Sequence, residues 1–171
     1  CRIAMSMTSS TRCAMSWTSS AADPGIGMDG RLPIVFWTTG GVKSGLGHVR
    51  RCLSLAEAVR EIGADASFVL ESDRMVLNYV EERGFRAVPA DRVSALGTVR
   101  NENGASVVID SYAVPSEELA AVRERSRAIV IDDLADREFP VDLVVNSSPS
   151  MKVSDYTALP STRFLLGPEY A

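Results

Sequence analysis

Ile34-Val35-Phe36-Trp37-Thr38-Thr39-Gly40-Gly41-Val42-Lys43-Ser44-Gly45-Leu46-Gly47-His48 decides the fold. Its first four residues are an unbroken apolar run ended by turn formers, the pattern of a strand buried on both faces. Glycines follow at 40, 41, 45 and 47, letting the backbone turn tightly and approach a ligand. From 46 to 62 the spacing predicts a helix with Leu53, Leu55, Ala56, Val59 and Ile62 on its apolar face and Gly63 as its stop. A buried strand feeding a helix through a glycine-rich loop is the opening unit of a parallel α/β sheet.

The alternation continues outward from this unit. Ala66-Ser67-Phe68-Val69-Leu70 reads as a second strand. Ser72 or Asp73 caps a helix carrying Met75, Val76, Tyr79 and Val80, which ends at Gly84. Residues 85–88 form a weaker strand, and 91–103 a short helix of poor periodicity. Ser106-Val107-Val108-Ile109-Asp110 is a clear strand, 115–126 a clear helix, and Ala128-Ile129-Val130-Ile131-Asp132 another strand. Residues 141–145 and 163–166 complete the strand set. The fold class expected is α/β, a Rossmann-like parallel sheet with helices on both faces. Ligands of such sheets bind beyond the carboxyl ends of the strands, which selects the loops 38–48, 110–115, 132–137 and 146–149.

His48 is the chain's only histidine. Imidazole alone has an unperturbed charge change near neutral pH, so any histidine acid–base chemistry here runs through this residue. At a helix N-terminus the backbone amides favour the neutral ring, which can accept a proton; the bland alternative is a capping histidine. Asp110 ends a strand on the same side and is placed to orient His48 or hold sugar hydroxyls. Asp132 and Asp133 end the next strand and are likewise placed to orient His48 or hold sugar hydroxyls, with turn capping as their simpler use. Arg50 and Arg51 oppose the helix dipole and read as a solvated face. The glycine loop is neither a Walker motif nor G-x-G-x-x-G, since Arg50 stands at the last position.

Composition narrows the classes. The chain of 171 residues carries a net charge of −4 with 46% hydrophobic residues, and its scattered basic residues argue against nucleic acid and anionic membranes. No run approaches the about 18 apolar residues of a membrane span. Cys1, Cys13 and Cys52 are odd in number and lack metal-ligand spacing, which points to a reducing, cytoplasmic setting and Cys52 as a small core residue. Residues 1–30 repeat Arg2-Ile3-Ala4-Met5-Ser6 as Arg12-Cys13-Ala14-Met15-Ser16 and read as a disordered or extraneous leader ahead of a domain at 31–171.

Ser44-Gly45-Leu46-Gly47-His48-Val49-Arg50-Arg51-Cys52-Leu53 resembles the glycine–histidine signature of the pseudaminic-acid pathway UDP-sugar hydrolases and the related spore-coat polysaccharide proteins. Val108-Ile109-Asp110-Ser111-Tyr112, Val130-Ile131-Asp132-Asp133-Leu134-Ala135-Asp136-Arg137, Asp142-Leu143-Val144-Val145-Asn146 and Leu165-Leu166-Gly167-Pro168-Glu169-Tyr170 are similar to later segments of that family, in the same order. The resemblance implies the amino-terminal half of a glycosyltransferase-B-like architecture, with a nucleotide-gripping half to follow. It implies metal-independent hydrolysis of a UDP-linked 2,4-diacetamido-2,4,6-trideoxy sugar, with no cofactor. By position His48 would be the acid/base activating water, Gly45 and Gly47 would shape the loop around the sugar, and Asp110 and Tyr112 would be substrate-side residues. The family's R-x-D pair after the first strand is replaced by Trp37 and Thr39, and the histidine before its tyrosine by Ser111. Three readings follow: a UDP-sugar hydrolase, a glycosyltransferase in which His48 deprotonates an acceptor hydroxyl, and a non-catalytic sugar-nucleotide-binding module.

Overall fold

A computed structural model describes residues 33–41, 44–102 and 104–170; the leader expected at 1–30 lies outside them. Among the described residues the chain forms nine strands and four α-helices in the order β1 (Pro33–Thr39), α1 (Gly47–Glu61), β2 (Asp65–Glu71), α2 (Arg74–Glu81), β3 (Arg86–Pro89), α3 (Arg92–Asn101), β4 (Ser106–Asp110), α4 (Ser116–Arg123), β5 (Arg127–Ile131), β6 (Glu138–Phe139), β7 (Leu143–Asn146), β8 (Thr157–Ala158) and β9 (Arg163–Leu166). Seven strands make one sheet ordered β3-β2-β1-β4-β5-β7-β9. All of its pairings are parallel. The order reverses between β1 and β4, so their loops diverge there and leave a crevice at the carboxyl edge.

Alternate residues of β1 supply two cores. Phe36 stacks on Phe68 at 5.1 Å and is covered by α1 and α2 through Val49, Cys52, Val76 and Val80. Trp37 faces the opposite way, with Val107 and Ile109, under Ala95 and Val99 of α3 and Leu119 and Val122 of α4. Helices therefore cover both faces, as a parallel sheet requires. The weakly periodic segment at 91–103 is helical because its start is well capped. The Asp91 carboxylate accepts the Ser94 amide at 2.8 Å, and the Ser94 hydroxyl accepts the Asp91 amide at 3.0 Å. Asp73 caps α2, accepting the Val76 amide at 3.1 Å.

The apolar face expected for the first helix needs correction. Val49, Cys52, Leu53 and Ala56 are its buried residues, spaced i, i+3, i+4 and i+7. Leu55 is 42% exposed and Ile62 82%. The stripe lies one position further round than Leu55, Val59 and Ile62 suggest. Leu55 and Val59 instead flank an open groove of about 770 Å³ floored by Val108, Ile129, Val145 and Leu165. The groove follows from handedness. Strands from β4 to β9 are added outward in one direction, so right-handed connections all cross the other face, where Leu119, Phe139 and Tyr156 lie. The two-residue strands β6 and β8 pair with each other outside the main sheet; they are too short to leave a period in the sequence.

Candidate functional site

The crevice at the β1/β4 switch gathers residues from three carboxyl-edge loops. The glycine loop is pinched shut by two backbone hydrogen bonds, Gly41 N–H to Gly45 O at 3.0 Å and Gly45 N–H to Gly41 O at 2.8 Å. Gly45 has φ +73°, a left-handed conformation that an L side chain resists. Gly40 is required for a different reason: a Cβ there would lie 2.5 Å from Val49 Cγ2, inside α1. Gly47 is the first residue of α1, and a Cβ on it would meet nothing within 4 Å. Leu46 at the N-cap offers no side-chain acceptor, so the first-turn amides face the crevice without a side-chain cap.

His48 is the second residue of α1, its side chain 13% exposed. Its Nδ1 lies 2.7 Å from Oδ1 of Asp110, the last residue of β4. A carboxylate only accepts, so Nδ1 carries the proton and the Nε2 lone pair is the one left to meet a substrate. Asp110 is fully buried and held from two further directions. Arg51, one turn along α1, donates Nη2–H to Oδ1 at 2.8 Å and Nε–H to Oδ2 at 2.9 Å. The Cys52 thiol lies 3.7 Å from Oδ2; burial, reinforced by the Asp110 charge, pushes its pKa well up and keeps it neutral.

Arg51 reaches onward to Asp133, donating from Nη1 and Nη2 at 3.1 Å each. Partial burial works against the Arg51 charge, yet the hydrogen bonds to Asp110 and Asp133 outweigh it and raise the guanidinium pKa. Burial likewise opposes charge on Asp133, but the bonds from Arg51 and Tyr112 prevail and hold it below the usual carboxylate value. Tyr112 donates its hydroxyl to Asp133 Oδ2 at 2.7 Å and meets the His48 ring edge-on. Desolvation and that bond push the Tyr112 hydroxyl up to about 12. The result is a closed ring, His48–Asp110–Arg51–Asp133–Tyr112, built from α1 and the loops after β4 and β5.

The candidates at 45, 47, 48, 110 and 112 thus share one neighbourhood at the carboxyl edge. Two participants, Arg51 and Arg137, were not evident from sequence. Arg51 is no solvated arginine but the centre of the ring, whereas Arg50 is exposed. Asp133, one of the two acids ending the next strand, enters through Arg51 and Tyr112. Arg137 fixes the Tyr112 loop from beneath, donating to the Tyr112 and Val114 carbonyls at 2.7 Å each. Asp132, by contrast, serves its own turn: its Oδ2 accepts the Leu134 and Ala135 amides at 3.0 and 2.7 Å and the Tyr156 hydroxyl at 3.2 Å. Trp37 is core, its indole N–H on Glu71 at 2.8 Å.

No protein-family model matches the chain. Over 146 residues it is 27% identical to the uncharacterized protein MJ1062 of Methanocaldococcus jannaschii, a match that covers 81% of this chain and 30% of that protein. The chain therefore spans less than a third of that relative's length. No helix among the described residues is long and apolar enough to cross a membrane. Nor do they contain a cluster of three or more His, Cys, Asp or Glu that could hold a metal ion.

Proposed function

We propose that this domain is the sugar-side half of a nucleotide-sugar hydrolase of glycosyltransferase-B-like architecture, with His48 as the general base. The observation that carries the reading is the 2.7 Å contact between His48 Nδ1 and buried Asp110. It fixes the tautomer, leaving Nε2 to take a proton from the water that attacks the anomeric carbon of a UDP-linked sugar. The bond to UDP breaks as the carbon–oxygen bond to water forms, and UDP departs as a stabilised anion. The uncapped first turn of α1 presents amides to a polarised hydroxyl or phosphate oxygen. Gly45 and Gly47 keep that approach free of side chains, and Tyr112 walls the opposite side. The closed ring supports this use because it holds the imidazole from two sides, Asp110 at Nδ1 and the Tyr112 ring edge-on. In the full-length protein a second Rossmann-like half would bind the nucleotide across the crevice.

Glycosyl transfer uses the same geometry with an acceptor hydroxyl in place of water, and product analysis separates the two. Full-length protein is incubated with UDP-linked 2,4-diacetamido-2,4,6-trideoxy sugar in buffer alone. Release of UDP and free sugar in equal amounts supports hydrolysis, and UDP release only with added acceptor supports transfer. Unchanged turnover in His48→Ala overturns both.

A further inference from the structure

We propose that Arg51 is the positioning residue of this site: its fork aims the Asp110 carboxylate at His48 and keeps that carboxylate from holding the imidazole protonated. The inference rests on His48 acting as a base. A lone buried carboxylate beside imidazole orients the ring but also stabilises the imidazolium, and a base that is already protonated accepts nothing. Three acidic or basic side chains face His48. Asp110 stands on β4 in contact with the ring, Asp133 on the loop after β5 within electrostatic reach of it, and Arg51 on the histidine's own helix, bonded to both carboxylates. The Tyr112 hydroxyl on Asp133 and the Cys52 thiol on Asp110 are both neutral near pH 7. With Arg51 present, the charge around the imidazole is −1; without it, the two carboxylates make −2.

Geometry adds a second role. Nε and Nη2 of Arg51 address both oxygens of Asp110 at 2.9 and 2.8 Å, which fixes the carboxylate plane. The other edge of the fork is anchored on Asp133, so the guanidinium cannot pivot away. A lysine could supply the charge but not the two-point grip.

His48 is the only histidine of the 171-residue chain, so in that chain the imidazole signal belongs to it alone. Its NMR titration is followed in the native protein, Arg51→Gln, Arg51→Lys and Asp133→Asn, alongside pH–rate profiles. In Arg51→Gln the protonation midpoint moves up by about one pH unit, and the acid limb of the rate profile moves with it. Turnover falls at every pH as well, because the two-point grip on Asp110 goes with the charge. Arg51→Lys leaves the midpoint near the native one but lowers turnover across the whole profile. Asp133→Asn, a change at a partly exposed site, moves the midpoint down and provides the opposite sign should Arg51→Gln fail to fold. An unchanged or lowered midpoint in folded Arg51→Gln, or no downward move in Asp133→Asn, overturns the proposal. The titration is independent of turnover, so an inactive His48 reading and a failed Arg51 reading give different results.

Discussion

Thr38 and Asp110 stand opposite one another in the parallel register of β1 and β4, and the Thr38 hydroxyl donates to the Asp110 carbonyl at 3.0 Å. Both residues are fully buried. The sheet and the site are joined here: one residue's carbonyl is held by the neighbouring strand while its carboxylate orients His48. Thr38→Val keeps the shape and removes the donor, so it should destabilise by about 1–2 kcal/mol. Thr38→Ser, which restores the hydroxyl, should recover most of the hydrogen-bond loss while giving up one methyl. Urea unfolding of the two variants checks the order, and equal losses would assign the cost to packing instead.

Asp110→Asn separates charge from shape. The amide nitrogen would face a donor, either His48 Nδ1–H or Arg51, and the ring would lose a carboxylate that three groups approach. A fully buried pair broken on one side loses about 3–5 kcal/mol; Arg51 is 32% exposed, which puts the expected loss at or below the low end. His48 would be free to take the other tautomer, and turnover should fall on the order of 10²–10⁴-fold. Imidazole nitrogen shifts report the tautomer directly, and an unchanged Nδ1–H form would contradict the role given to Asp110.

How much of this was legible follows from which interactions are local. The strands at 34–37 and 106–110 announce themselves because both faces are buried and the apolar run is continuous. The helix at 92–101 was faint because only Ala95 and Val99 are buried; its signal was the Asp91–Ser94 cap, not periodicity. His48 stood out as the lone histidine after a glycine loop, and Asp110 as an acid ending a strand. Arg51 did not, because its partners lie 59 and 82 residues away and nothing local distinguishes a clamped arginine from a solvated one. The rotated stripe of α1 was missed because Leu55, Val59 and Ile62 fit a helical period as well as Val49 and Cys52 do.

The two glycines before His48 should respond oppositely to alanine. Gly45 sits at φ +73° with open space around its Cα, so Gly45→Ala meets no clash and is disfavoured by the backbone alone, by about 1–2 kcal/mol. Because Gly45 is tied to Gly41 by two hydrogen bonds, relief of that strain would open the loop and lower turnover. Gly47→Ala replaces a flexible residue at the start of α1 with a better helix former in equally open space. It should be neutral or stabilising by up to about 1 kcal/mol. Thermal melts rank the pair, and a more stable Gly45→Ala would show that the loop does not hold the left-handed conformation.

Tyrosine ionisation offers a readout that needs no substrate. Burial and the Asp133 bond push Tyr112 up to about 12, and burial does the same for Tyr156. A phenol whose folded pKa exceeds its unfolded value of about 10 stabilises the fold below pH 10. That contribution is lost as pH rises from about 10 to about 12, because the unfolded chain then gives up a proton that the folded one retains. Ultraviolet titration of the folded protein should therefore show Tyr112 and Tyr156 ionising late. Tyr112→Phe should remove one late phenol while keeping the ring against His48, and it should flatten the alkaline fall in stability. It also releases Asp133 from one of its donors, so the Asp133 carboxylate should titrate at higher pH than in the native protein. An unchanged count of late phenols in Tyr112→Phe would place the Tyr112 hydroxyl in solvent, away from Asp133.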